Sequence, residues 1–281
     1  MRARGKPLAT AGVALWLAAC VAQANIFVLD RREQREGSTP PFRSVGVIHH
    51  RSHGGGGTAF LVGRCHVLTA YHVAFMGKTN AATGKVDVLP GRVGHVAEFL
   101  AGPVATGAGR FASATRARVV QYGQFSDADY TGMAGDWAIL RLDECLGRKY
   151  GFLAFARPAS DMPMPMGELM TAGFPRSRAQ KAGITVETGC KSRDHGPVPG
   201  LVGVDCAFES GMSGGPVWEK QADGRWHVVG LIQQSLGSVD HALPTYSMQH
   251  RNQMLHVSTF RKALEQTLRA EAKRALAERS R

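Results

Sequence analysis

Long hydrophobic runs are scarce in this 281-residue chain, and the apolar stretch of its leader is too short to span a bilayer comfortably as a permanent anchor. That stretch, residues 8–17, follows Arg2, Arg4 and Lys6, the basic-then-apolar order of an export signal over residues 1–24. Basic residues never interleave with aromatics in one run. The 34 Lys and Arg against 22 Asp and Glu, a net charge of +12, therefore do not read as nucleic-acid binding. Cysteines number only five, and no two stand at C-x-x-C spacing, which argues against a zinc site. No Gly-Lys-Ser/Thr follows the glycine run Gly54-Gly55-Gly56-Gly57, so that run is no phosphate cradle.

Between the leader and the tail the chain consists of short apolar runs punctuated by glycine and proline. They lie at 44–49, 59–62, 67–70, 117–121, 137–142, 184–188, 201–207, 216–218 and 227–233. Lengths of four to eight residues with β-branched enrichment favour strands, and the class they predict is all-β. Pro158, Pro163 and Pro165 interrupt any regular element near 150–168 and mark a crossover between two halves. One helix is expected, at about 257–278, where Phe260, Leu264, Leu268 and Leu276 recur at helical spacing.

The leader offers two processing outcomes. Ala22-Gln23-Ala24 is the small-x-small pattern of ordinary signal peptidase and predicts soluble export, periplasmic or extracellular, with the domain running over 25–281. Leu17-Ala18-Ala19-Cys20 resembles a lipobox, in which Cys20 becomes the acylated first residue of an outer-membrane lipoprotein; membrane contact is expected only in that case. Setting Cys20 aside leaves Cys65, Cys145, Cys190 and Cys206, which behind an export signal read as two disulfides with three pairings open.

Three segments carry chemistry. In Gly211-Met212-Ser213-Gly214-Gly215-Pro216 a serine stands between glycines, which lets a substrate backbone approach its hydroxyl. A strand-like run at 67–70 delivers Tyr71-His72, and another run begins at Gly135-Asp136-Trp137-Ala138-Ile139-Leu140. Ser213, His72 and Asp136 can serve as nucleophile, general base and orienting anion. Asp127, Asp129 and Asp143 are the alternatives to Asp136; the first two sit in a polar stretch and the third follows the apolar run.

These segments, with Gly57-Thr58-Ala59-Phe60-Leu61-Val62 before the first, resemble the trypsin-like serine peptidases, in particular the bacterial glutamyl-endopeptidase-like branch. Asp30-Arg31-Arg32 and Ala172-Gly173-Phe174-Pro175 resemble two further signatures of that branch. The resemblance covers about 27–265. It implies two six-stranded antiparallel β-barrels, at about 40–150 and 168–256, with a cleft between them. The apolar stripe of the C-terminal helix is itself read as packing on the second barrel, with a solvated basic tip, in preference to a membrane or partner contact. The resemblance pairs Cys65 with Cys145 and Cys190 with Cys206. It gives the oxyanion hole to the backbone N–H groups of Gly211 and Ser213. Met212 departs from the trypsin and chymotrypsin branch, where an aspartate here pairs with a newly cut amino terminus.

By offset the first specificity pocket is lined by Ala207, Phe208, Ile232, Gln233 and Ser235. Ala207 replaces the carboxylate of trypsins, and no histidine follows Gly230-Leu231, so an apolar P1 residue is expected rather than Lys, Arg or Glu. His49, His50 and His53 fall on a variable hairpin tip without a matched carboxylate or cysteine pair, so no metal is expected. His66 and His227 read as strand residues on partly exposed faces. The expected protein is a monomeric serine endopeptidase acting on polypeptides without a cofactor. The rivals are a peptide-binding protein that keeps the fold but not the activity, and an α/β-hydrolase-type esterase, which the order His, Asp, Ser opposes.

Overall fold

The computed structural model describes residues 26–27, 30–80, 86–103, 111–126, 128, 130–156, 164–165, 167–178, 183–236, 245–247 and 249–279. The leader with Cys20, together with Asp127, Asp129, Pro158 and Pro163, lies outside them.

The short apolar runs are strands. After β1 (Glu33–Arg35) the chain forms β2 (Val45–His50), β3 (Gly55–Leu61), β4 (His66–Thr69), a side hairpin of β5 (Met76–Thr79) and β6 (Val86–Val88), then β7 (Val96–Pro103), β8 (Phe111–Tyr122) and β9 (Ala138–Leu142). Six of these close an antiparallel barrel in the order β2-β3-β4-β9-β8-β7. Closure leaves no sheet edge to protect and gives every strand an inner face, which Ile48, Leu61, Val67, Phe99, Val119 and Leu140 share by register and burial. Short helices punctuate this half: α1 (Tyr71–Ala74), α2 (Tyr130–Met133) and α3 (Gly147–Tyr150).

The second half comprises β10 (Leu169–Gly173), β11 (Ile184–Cys190), β12 (Ser192–His195), β13 (Leu201–Val204), β14 (Pro216–Lys220), β15 (Trp226–Leu236) and β16 (Arg251–His256). Together with β1 they make an eight-stranded sheet in the order β1-β11-β10-β14-β15-β16-β13-β12. The expected six strands are thus extended at both ends, by β1, paired to the outer edge of β11 through Gln34 and Thr185, and by β12. Both disulfides are as expected, Cys65–Cys145 and Cys190–Cys206. In the chain-entropy picture they contribute about 4.5 and about 3 kcal/mol respectively.

The C-terminal helix α4 (Arg261–Arg279) corrects one expectation. It begins over the second sheet, but its body lies on the first barrel. Leu268 packs against Gly63, Glu271 Oε1 accepts the Cys65 N–H at 2.9 Å, and Thr267 Oγ1 donates to Gln121 at 3.0 Å. The reason is polar as well as apolar: the amide of Cys65, next to its disulfide, needs an acceptor, and Glu271 supplies it. His66, expected on a partly exposed face, is accordingly buried with its Nδ1 at 3.3 Å from Glu271.

Candidate active site

His72 is the second residue of α1, which starts where β4 ends. Ala70 remains extended, and the amides of Val73 and Ala74 turn back onto its carbonyl. Tyr71 anchors this single turn, its ring 4.5 Å from Phe75, 5.7 Å from Tyr122 and 5.2 Å from Phe125. The imidazole is 23 % exposed and the Asp136 carboxylate 1 %. Asp136 stands just before β9, in a turn closed by its own N–H on the Met133 carbonyl. Its Oδ2 lies 2.9 Å and its Oδ1 3.1 Å from His72 Nδ1, and Oδ1 also accepts the His72 backbone N–H at 3.0 Å. One carboxylate therefore fixes both the ring and the backbone of the base. Burial works to lower the His72 pKa, but the charge and hydrogen bond of Asp136 outweigh it, and the net shift is upward from 6.5. Asp143, the alternative anion, is engaged at the surface with Arg118 and Arg116.

Ser213 lies on the turn between β13 and β14. Gly211 has φ +97°, and a Cβ there would come 2.5 Å from the Phe174 carbonyl oxygen; Gly214 has φ +81°, and a Cβ there would meet Thr69 Oγ1 at 2.2 Å. Both positions exclude side chains on two counts, dihedral and space. The orientation of the turn's amides follows from peptide planarity, since a trans peptide points its C=O and the next N–H in opposite directions. The Ser210 carbonyl is held outward by the Arg176 N–H at 2.8 Å, which turns the Gly211 N–H the other way. The Met212 carbonyl is likewise held by the Gly215 N–H at 2.9 Å, which turns the Ser213 N–H away from it. Neither the Gly211 nor the Ser213 N–H finds an acceptor among the described residues. Two unpaired, oriented amides flanking a serine are the donor arrangement of an oxyanion hole. Among the same residues Ser213 Oγ makes no hydrogen bond; catalytic contacts in ligand-free sites are often long and tighten around substrate.

One contributor was missed in the sequence. Thr58, fully buried on β3, donates its backbone N–H to the Ser213 carbonyl (2.9 Å) and its hydroxyl to the Gly211 carbonyl (2.7 Å). The same hydroxyl accepts the Phe174 N–H (3.1 Å). It joins the first barrel to the nucleophile turn. A hydroxyl in an otherwise apolar strand was its only visible signal.

Of the residues assigned to the specificity pocket, Ala207, Phe208, Ile232 and Gln233 are all buried. Phe208 and Ile232 pack with Met212, Val217 and Met254. Gln233 is the extra residue at the register shift of β15 against β16, and its amide has no partner among the described residues. The Ser235 backbone pairs with Asn252 on β16; its side chain lies outside what is described, as do residues 237–244 beyond it. Near Ala207 sits a carboxylate that sequence reading did not place there. Glu187 Oε2 accepts the Ala207 N–H at 2.6 Å and Oε1 meets Arg31 at 3.3 Å. Burial raises the Glu187 pKa to about 7 against these two contacts.

His50 and His53 stack at 5.1 Å, with Nε2 of each on a backbone carbonyl, Val73 and Met76 respectively. Among the described residues no group of three His, Cys, Asp or Glu is arranged to hold a metal ion.

A closed barrel joined to a second antiparallel sheet, with a His–Asp pair and a glycine-flanked serine between them, defines a serine peptidase of the two-barrel class. The family model for the trypsin-like peptidase domain matches residues 57–231, and the chain belongs to that family, a serine-type endopeptidase. Among solved structures its fold is similar to a Glu endopeptidase determined in complex with MPD. The two share 17 % identity at a TM-score of 0.56, over 85 % of this chain and 99 % of that one. A search of curated proteins finds no match.

Proposed function

We propose that this endopeptidase is exported and cleaves internal peptide bonds through an acyl-enzyme on Ser213. His72 Nε2 takes the Ser213 proton as Oγ attacks the scissile carbonyl, and later delivers it to the leaving amine. Asp136 keeps the Nδ1 proton in place and stabilises the imidazolium. The developing oxyanion is received by the Gly211 and Ser213 amides. The observation that carries this reading is the orientation of those two amides, each turned by a carbonyl held on its other side.

Cleavage within a chain requires room on both sides of the scissile bond. On the first-barrel side of Gly211 a groove of about 410 Å3 is lined by Val47, Leu100, Phe111, Phe174 and Arg176. His49, Pro175 and the backbone of Gly54 to Gly57 complete its wall. Thr58 turns its N–H away from β2, so Gly56, two residues earlier and opposite His49, turns its own N–H and C=O the same way. A peptide strand can pair with that edge. The groove lies across the oxyanion turn from Ala207 and Ile232, and so receives the leaving-group side of the substrate. On the acyl side the apolar lining favours an apolar P1 residue. Glu187 offers little charge to a basic one, because Arg31 already faces its carboxylate and burial raises its pKa to about 7. Four cysteines in two disulfides support folding in an oxidising compartment.

The test is labelling of the purified exported protein with a fluorophosphonate, read by peptide mass alongside Ser213→Ala. One adduct, on Ser213 and absent from the alanine variant, is expected. A folded, disulfide-bonded protein that takes no label would instead be a peptide-binding member of the fold.

A further inference from the structure

The amino-terminal strap, residues 30–32, is fastened beneath the nucleophile turn by buried charge. The Arg32 side chain is 3 % exposed. Its Nη1 donates to Glu209 Oε2 at 2.8 Å, and its Nε and Nη2 donate to the two oxygens of Asp30 at 2.9 and 3.0 Å. Arg178 closes the far side, with Nη1 on the Arg32 carbonyl at 3.2 Å and Nη2 at 3.5 Å from Asp30. Glu209 is two residues before Gly211. Its second oxygen accepts the Ser177 N–H at 2.9 Å, and the neighbouring Arg176 N–H holds the Ser210 carbonyl at 2.8 Å. That carbonyl belongs to the peptide whose N–H is the Gly211 donor. The Glu209 carbonyl in turn accepts the Met212 N–H at 2.9 Å.

From this chain of contacts we infer that Arg32 and Glu209 are positioning residues: their ion pair sets the 176–177 turn against Ser210 and so aims the Gly211 N–H into the oxyanion hole. The inference rests on the catalytic reading above. It replaces the fastening that Met212 cannot make, because a thioether accepts no ion pair; Met212 is fully buried among Phe208, Val217 and Ile232. Guanidinium suits the task because its planar fork engages two carboxylates at once, which an ammonium cannot do with the same geometry. Burial works to raise the Glu209 carboxyl, and the Ser177 and Arg32 contacts more than cancel it, so Glu209 remains ionised at neutral pH. Arg31 adds a parallel link, through Glu187 to the Ala207 N–H at the other end of the same segment.

The experiment compares wild type, Glu209→Gln and Arg32→Lys in the full exported protein. It measures kcat and KM on a peptide p-nitroanilide, and both the rate and the endpoint of fluorophosphonate labelling. Loss of one oxyanion donor costs about 10²–10³ in kcat, and a misaimed one about tenfold or more. Each variant is expected to lose about tenfold or more in kcat and in labelling rate, with KM held within about twofold, because the donor acts on the transition state. Arg32→Lys, which keeps the charge, is expected to fall less than Glu209→Gln. The labelling endpoint counts folded molecules, so unfolding lowers the endpoint and misaiming lowers the rate. Full endpoints with unchanged rates, or endpoints lost in both variants with no rate change in the folded remainder, would leave the pair a purely structural one and overturn the inference. A wild type that takes no label would sink the catalytic reading instead.

Discussion

Asp136→Asn is the sharpest perturbation of this site, because the structure fixes what the new side chain must do. One oxygen of Asp136 accepts the His72 backbone N–H, and asparagine can keep that bond only by presenting its carbonyl oxygen there. The amide nitrogen then faces Nδ1 from the Oδ2 position, 2.9 Å away, and donates to it. The neutral imidazole is forced to carry its proton on Nε2, towards Ser213, where it cannot act as a base. The carboxylate is also lost from beside the imidazolium that forms in the transition state. At an effective dielectric of about 20, a unit charge pair at this separation is worth about 6 kcal/mol. At about 1.4 kcal/mol per decade that is about four decades in rate. We expect kcat on a peptide p-nitroanilide to fall about 10⁴-fold with KM little changed. The pH profile carries a second signature. In the wild type Asp136 raises the His72 pKa, so activity is lost as pH falls through a value above 6.5; in the variant only burial acts, and the inflection moves below 6.5. Retention of kcat within tenfold, or an inflection that does not move, would refute the assignment of Asp136.

Thr58→Val keeps the shape of the strand but removes the hydroxyl that holds the Gly211 carbonyl and accepts the buried Phe174 N–H. We expect a loss of about 1–3 kcal/mol in unfolding free energy, together with about tenfold in kcat, measured by denaturant titration and steady-state kinetics. Glu187→Gln tests linkage. The folded pKa of about 7 lies above the unfolded value of about 4.5, so the folded state binds the extra proton between them. The stability it confers is complete below about pH 4.5 and is lost as pH rises through about 7. Between those limits wild type should lose about 3 kcal/mol relative to the variant, and parallel pH curves for the two would contradict the raised pKa. Phe174→Ala should raise KM several-fold for peptides with a large apolar residue just after the scissile bond. Peptides with glycine there should respond little, because the change empties the apolar groove without touching the triad.

Much of this site was visible in the sequence because its chemistry is local. His72 follows one apolar strand, Asp136 precedes another, and Ser213 sits in a glycine turn that little else explains. The strands that periodicity does not reveal are those whose polar residues are buried by distant partners. β16 reads Arg-Asn-Gln-Met-Leu-His and is buried throughout, with Arg251 on Asp194 and the Asn252 amide on the Cys206 carbonyl. Thr58 escaped notice for the same reason, since its hydroxyl acts on a carbonyl 153 positions away. The stripe on α4 predicted a helix correctly, yet an amphipathic face names no partner. The choice of the first barrel came from Glu271, one of three glutamates in a basic segment, answering the amide of Cys65.

Met212 stands in the sequence as a departure from the trypsin and chymotrypsin branch, and the fold gives it a consistent meaning. The turn has an inner and an outer side. Inside, Met212 completes a dry cluster in which an aspartate would need an ionic partner. Outside, Glu209 carries the charge instead, and its partner is an internal arginine rather than a terminal amine. An arginine within the chain is present as soon as the protein folds, whereas a terminal amine must be created by cutting. The Gly211 amide is therefore aimed by folding itself. Because Arg32 is almost wholly shielded from solvent, ordinary changes in salt leave that aim nearly unaffected.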